Sequence, residues 1–349
     1  MLIDFTNLVT CKCFLLCKDR PNNRNSQTFP SFFCSIRKKL VNLQKDSSIM
    51  VKVSVILPIY NVAPYLDETF QSILGQSLKE IEIIAVNDGS TDNSGEIIER
   101  YRQQDNRIIA LSEENQGQSA ARNLALSHAS GQYIYMMDSD DRLNSTDALK
   151  MCYEYAERNE ADFIFFDGES FSEQGVDRIS RNTKRTHLME QDKRTDGETL
   201  LNLTLDTLTH NCVVWLLFIR KSFIDRIGLR FHKGIIHEDE LFTTILALSS
   251  DNIFCLRQSL VDHRIRQAST MGINFSRRNI ECYLTVADEL LRFSRRPIIH
   301  KFLRYTLSRV FYTAHVIPLS DKPAIFWRAV RSGYLKYIGL KSAIVFWVK

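Results

Sequence analysis

The chain has 349 residues, 44% hydrophobic and 25% charged, a composition that allows one large buried core and excludes low-complexity and fibrous classes. No run reaches the ~18–20 apolar residues that a membrane span needs. Lys and Arg number 45 against 41 Asp and Glu, a formal excess of +4 gathered at the two ends: from Arg292 to Lys349 the only acid is Asp321. Such asymmetry points to an anionic partner. No nucleic-acid motif accompanies it, and basic residues interleaved with aromatic ones favour a membrane surface over nucleic acid.

Residues 1–49 carry little periodicity. Asp4 and the Cys11-Lys12-Cys13 run break up the apolar start, so it makes no convincing signal peptide, and the spacing of Cys11, Cys13, Cys17 and Cys34 is a poor match to a zinc site. Residues 20–49 read as loop or disorder, and Met50 then opens a well-formed buried strand. A poorly ordered extension before a true start at Met50 is expected. Cys152, Cys212, Cys255 and Cys282 sit in apolar segments as buried thiols do, which fits a reducing compartment.

From Val53 the chain alternates. A strand at 53–57 stops at Pro58, and a helix follows at 64–75 with Leu66, Phe70, Ile73 and Leu74 on one face. A strand at 81–86 runs into Asn87-Asp88-Gly89-Ser90, then a helix at 94–104 and a strand at 107–111. The helix at 117–129 precedes a strand at 133–137 ending in Asp138-Ser139-Asp140-Asp141. Another helix (146–159) and strand (162–166) follow; residues 170–198 are polar and predict a loop. Beyond Phe275 the spacing predicts helices over 279–296, 298–316 and 320–348. Strands separated by helices imply βαβ units and a mostly parallel sheet, which binds ligands at the carboxyl ends of its strands. The polar clusters stand at those ends.

The phosphate-binding glycine motifs of dinucleotide enzymes and NTPases are missing, and so is the kinase signature set. Asp138 and Asp140 offer oxygens to a hard cation such as Mg2+ or Mn2+; the competing role is a helix cap at Asp141 or Ser145. Asp88 alone reads as a turn acid. Gly117, Ser119 and Arg122 open a helix and could turn backbone N–H groups and a guanidinium towards phosphate. His237-Glu238-Asp239-Glu240 precedes an apolar helix, where acids also favour the macrodipole.

Together these segments resemble glycosyltransferase family 2. The family's strand-end motif is Pro58-Ile59-Tyr60-Asn61, its Asp-Gly-Ser loop is Asp88 to Ser94, its Gly-x-Ser-x-Ala-Arg-Asn element is Gly117 to Asn123, and its Asp-x-Asp motif is Asp138-Ser139-Asp140. The resemblance covers roughly residues 51–265 and is nearest to polysaccharide-building members. It implies an α/β, single-domain, Rossmann-like glycosyltransferase A-type fold with a mixed, mostly parallel sheet, plus C-terminal helices. The implied division is an extension (1–49), a catalytic domain (50–270) and a basic, aromatic-rich helical region (271–349).

By position, Asp88 would bond the base, with Pro58 and Tyr60 shaping its pocket and Asn61, Ser90, Gly117, Ser119 and Arg122 near the nucleotide. Asp138, Ser139 and Asp140 would meet ribose and metal, Asp140 being the direct ligand of Mn2+ or Mg2+. Asp239 would be the base of an inverting transfer from a nucleotide-sugar, UDP-linked by expectation, to a saccharide or lipid-linked saccharide. That implies a hexosyl- or N-acetylhexosaminyltransferase of cell-surface polysaccharide synthesis, peripheral on the inner face of the plasma membrane. Trp215, Glu238, Arg264 and Arg266 are candidates for acceptor or diphosphate contact. Leu216-Leu217 stand where many relatives carry a polar pair, and His263-Arg264 where they carry Tyr-Arg. The rival reading is a nucleotide-sugar-binding protein that no longer catalyses.

Overall fold

Eight strands form one sheet, in the order β3 (Ile108–Glu113), β2 (Ile81–Asp88), β1 (Val53–Ile59), β4 (Tyr133–Met136), β7 (Leu217–Arg220), β6 (Phe163–Ser172), β8 (Ile253–Ile265) and β5 (Arg142–Leu143). The computed structural model describes residues 50–172, 183–265 and 275–348, and residues 50–349 form one unit. The expectations for residues 1–49 and for Arg266 lie outside the described residues.

Strands β1 (Val53–Ile59), β2 (Ile81–Asp88), β3 (Ile108–Glu113) and β4 (Tyr133–Met136) are mutually parallel. They alternate with α1 (Ala63–Leu74), α2 (Ser94–Gln104) and α3 (Gln118–His128). β7 (Leu217–Arg220) runs antiparallel between β4 and β6 (Phe163–Ser172), while β8 (Ile253–Ile265) lies parallel to β6 and antiparallel to the short β5 (Arg142–Leu143). The sheet is therefore mixed.

β1 is buried along its whole length, as a central strand covered on both faces must be. Val53, Val55, Leu57 and Ile59 face α1, α2 and α4 (Ala148–Arg158); Ile56 faces α3, α6 (Lys221–Ile227) and α7 (Glu238–Leu248). Ser54 is the buried polar exception. Its hydroxyl donates to Glu82 and accepts from the Gly131 amide, and a Cβ on Gly131 would lie 2.6 Å from the Ser54 nitrogen. Only glycine fits that approach.

Two differences from the sequence reading stand out. The polar stretch after Ser170 is not all loop: β6 runs to Ser172, Thr186–Leu188 makes a 3-10 turn, and α5 (Gly197–Asp206) starts under an Asp196 cap. Polar side chains there hide a strand paired on one edge with β8. The second concerns the C-terminal helices α8 (Arg277–Phe293), α9 (Pro297–Thr313), α10 (Lys322–Arg331) and α11 (Leu340–Val348). They share a core with Leu201 and Leu205 of α5 and Leu241 and Leu248 of α7. Phe302, Phe311, Tyr334, Tyr337 and Phe346, aromatic residues of the segment whose composition favours a membrane surface, are buried in it. Cys152, Cys212, Cys255 and Cys282 are free thiols. Among the described residues, no helix is long and apolar enough to cross a membrane.

Candidate active site

Parallel pairing brings the ends of β1, β2, β3 and β4 to one edge: Ile59 faces Asn87, Asp88 faces Glu113, and Ile56 faces Met136. The loops that leave these ends build the site. Asn61, in the left-handed region at φ 51°, accepts the amides of Thr91 and Asp92 on its side-chain oxygen and donates its own amide to Ser90 Oγ. Asp92 closes the loop by accepting from the amides of Ala63 and Ser94. Asn61 and Ser90 thus hold the loop's shape, while Tyr60 beside them is exposed and Pro58 is buried in β1.

Asp88 is buried, its oxygens accepting the amides of Gln116 at 2.8 Å and Gly117 at 2.9 Å. It therefore ties the β2 end to the entry of α3, leaving one lone pair on each oxygen. Gly89 beside it has φ +68°, and a Cβ there would come 2.7 Å from the Asn115 nitrogen. Gly117 also has positive φ and leads into α3. Ser119, buried on the first turn, leaves its hydroxyl without a protein partner.

Arg122 departs most from expectation. Its guanidinium is not turned out to a phosphate: the side chain is 2% exposed and meets Asp138 at 3.1 Å, Glu238 at 3.0 Å and Asp239 at 2.9 Å. The ring of Phe231 lies under it at 5.1 Å, and its Nε is buried without a partner. Asn123, next in the motif, exchanges two 2.8 Å bonds with the Phe231 backbone and so fixes that ring. One helix thus joins the acidic turn after β4 to the acids that start α7. No spacing rule links residue 122 to residue 239; only the packing of α3 beneath the sheet edge does.

In the acidic turn, side chains alternate. Asp138 and Asp140 are half-buried, whereas Ser139 and Asp141 are buried. Thr69 of α1 donates to the carbonyls of Ser139 and Asp141, which pins the turn. Asp141 accepts from His263 Nδ1 and the Arg264 amide. Burial pushes its carboxyl up to about 7 against the pull of His263, with Asp138 and Asp140 adding repulsion. Burial alone would lower His263, but the bond to Asp141 and the surrounding acids raise it. Asp141 is a framework acid and caps nothing.

Arg264 does not reach outward for a diphosphate. It is buried, bonded to Glu68 and the Asp140 carbonyl, and stacked between Tyr65 and Phe171. Trp215 is buried as well, its ring stacked on His263 at 5.0 Å, so it offers an acceptor no exposed face. Both belong to the wall behind the acidic turn.

Asp239 lies on the first turn of α7. Burial pushes its carboxyl up to about 7; Arg122 and a bond from the Val214 amide pull it down, and Glu238 and Asp138 push it up. Glu238 is buried against Arg122, while Glu240 turns the other way, to His210 at 3.3 Å. His237 precedes them at φ 66°, its ring stacked on Tyr283 of α8 at 4.3 Å and bonded to Asn279. The C-terminal helices thus hold the backbone from which Asp239 projects.

Among the described residues no three His, Cys, Asp or Glu side chains gather to hold an ion unaided. Two half-buried carboxylates on a pinned turn are instead the donor set that Mg2+ or Mn2+ uses when substrate phosphates and water complete its shell. Asp138 and Asp140 fit such an ion.

The profile of glycosyl transferase family 2 matches residues 54–228. GlyA of Streptococcus pneumoniae is 34% identical over 223 residues, 62% of this chain and 31% of that protein. EpsJ of Bacillus subtilis is 34% identical over 219 residues, 61% of this chain and 60% of that one. The chain thus spans less than two thirds of either relative. Among solved structures, Staphylococcus aureus TarS 1–349 in complex with UDP-GlcNAc superposes with a TM-score of 0.64 at 21% identity, over 84% of this chain and 83% of that one. The mannosyltransferase PcManGT of Pyrobaculum calidifontis, in complex with GDP-Man and Mn2+, gives a TM-score of 0.55 at 16% identity, over 84% and 78%. These two share the fold. With its strand-end motifs and the match to residues 54–228, this chain belongs to glycosyl transferase family 2.

Proposed function

We propose that this protein is an inverting glycosyltransferase of cell-surface polysaccharide synthesis. It moves a hexosyl or N-acetylhexosaminyl group from a UDP-sugar to a saccharide or lipid-linked saccharide at the inner face of the plasma membrane. The observation that carries the reading is the Arg122 bridge, which brings the acidic turn and the Asp239 carboxyl to one guanidinium. Donor-side acids and a base must lie that near each other if one sugar carbon is to meet both. The UDP-GlcNAc complex of TarS supports a UDP-linked donor, and the Mn2+ complex of PcManGT supports a metal.

In this reading the acceptor hydroxyl attacks the anomeric carbon from the face opposite the diphosphate. The new C–O bond forms as the bond to the diphosphate breaks, and the hydroxyl proton passes to Asp239. A group pushed up to about 7 suits that task, since a base works best when its pKa lies near the working pH. Asp138 and Asp140 would hold Mn2+ or Mg2+, which supplies positive charge against the departing diphosphate. Asp88, Ser119 and the loop locked by Asn61 would shape the nucleotide side.

Purified protein screened against UDP- and GDP-sugars with Mn2+, read by thermal shift and nucleotide release, tests this. Stabilisation by a UDP-sugar with release on adding acceptor is expected. Stabilisation without release under any acceptor would favour the binding-only reading. No response to any donor would overturn the proposal.

A further inference from the structure

Helix α11 is apolar on two opposite faces. Phe346 and Ser342 point into the shared core and are buried. Leu340, Ile344, Trp347 and Val348 point away from it, with exposures of 78%, 53%, 40% and 77%. At roughly 100° per residue these four fall within an arc of about 100°, a continuous stripe rather than scattered exposure. Trp347 also meets the ring of Phe326 at 5.5 Å, and the next residue on α10, Trp327, is 60% exposed. Two of the three tryptophans of the chain, Trp327 and Trp347, are therefore exposed, one on each of two helices that touch through Phe326, while Trp215 is buried.

The unpaired charge of the C-terminal segment has one sign. Arg331, Lys336 and Lys341 are exposed, and among the described residues none has a carboxylate within ion-pair distance. Asp321, the one acid of the segment, is paired with Arg277 at 3.4 Å. Lys341 borders the apolar arc directly, next to Leu340. A second copy of the chain would bring the same cations against these. An anionic lipid surface complements both features, taking apolar side chains and tryptophan rings at headgroup depth and cations beside them.

We infer that α11 and the Trp327 edge of α10 form a face that docks in the plane of an anionic membrane. The face is narrower than the sequence suggests, because the buried aromatic residues of the segment hold the helices onto the sheet domain. The purpose of docking rests on the proposed transfer to a lipid-linked acceptor; the docking itself does not, so the two fail separately.

The test is flotation of the full chain with vesicles of phosphatidylcholine alone or with 30% phosphatidylglycerol added, alongside tryptophan emission. Flotation with anionic vesicles only, weakened by salt, with a blue shift in emission, is expected. Leu340→Ser with Ile344→Ser should reduce partitioning at least about tenfold. Lys336→Gln with Lys341→Gln should reduce it roughly 25-fold, about fivefold per charge. Donor-induced thermal shift should stay unchanged in both variants and shows that they are folded. Should the double serine variant misfold, the blue shift of the wild-type chain still decides.

Equal flotation on neutral vesicles, no emission shift, or no effect of the double glutamine variant would overturn the inference. So would sedimentation showing a dimer that Leu340→Ser with Ile344→Ser dissolves, which would assign the stripe to a second copy. Loss of flotation with donor binding intact would leave the transferase reading standing.

Discussion

Replacing Arg122 by Met tests whether one guanidinium holds the two halves of the site together. The side chain is 2% exposed and touches Asp138, Glu238 and Asp239 at 2.9 to 3.1 Å. Breaking a buried ion pair from one side typically costs about 3–5 kcal/mol, because the remaining charge is stranded. Asp138 and Asp239 retain 25% and 21% side-chain exposure, so water can screen part of this and about 3 kcal/mol is expected at pH 8.5. The sign with pH follows from linkage. Asp239 already sits at about 7 with Arg122 beside it, and removing the cation raises it further. What Arg122 contributes through Asp239 therefore grows as pH rises from about 7 to the variant's own higher value, and is absent well below 7, where that carboxyl is protonated in both proteins. Urea unfolding at pH 8.5 and pH 5 measures both ends. The deficit should be larger at pH 8.5, though not zero at pH 5 because the other acids remain. A loss under about 1 kcal/mol, or the same loss at both pH values, would refute the bridge as the organising contact.

Asp239→Asn is expected to lower turnover at least ~10²-fold with donor affinity nearly unchanged, and Glu238→Gln to do much less. In the wild type kcat/KM should climb with pH and level off above about 7, and that limb should vanish in the variant; an unchanged pH profile would assign the base elsewhere. Asp140→Ala should abolish stimulation by Mn2+ while leaving the urea midpoint of the metal-free protein the same or slightly higher, since one like charge is gone from the acidic turn. Full activity of that variant in chelator would remove the ion from the scheme. A chain starting at Met50 is expected to fold and keep its donor-induced thermal shift; an insoluble product would show that residues 1–49 are needed.

The α/β order, most element boundaries to within a few residues, and the placing of three polar clusters at strand ends are legible in the order of residues alone, because these are local matters. A strand such as Val53–Ile59 declares itself by its apolar run, and Gly89 and Asn61 mark turns whose backbone needs positive φ. Pairings between residues distant in the chain emerge only once the elements pack. Arg122 and Arg264 look alike in sequence, basic residues near acidic motifs, yet each is buried and committed to protein acceptors. The aromatic residues of the C-terminal helices read as one uniform set, but packing on α5 and α7 buries Phe302 and Phe346 and leaves Trp327 and Trp347 outside. Periodicity gives the angle of a side chain about its own helix, whereas burial depends on which neighbour covers that angle, and a neighbour a hundred residues away leaves no mark in the spacing.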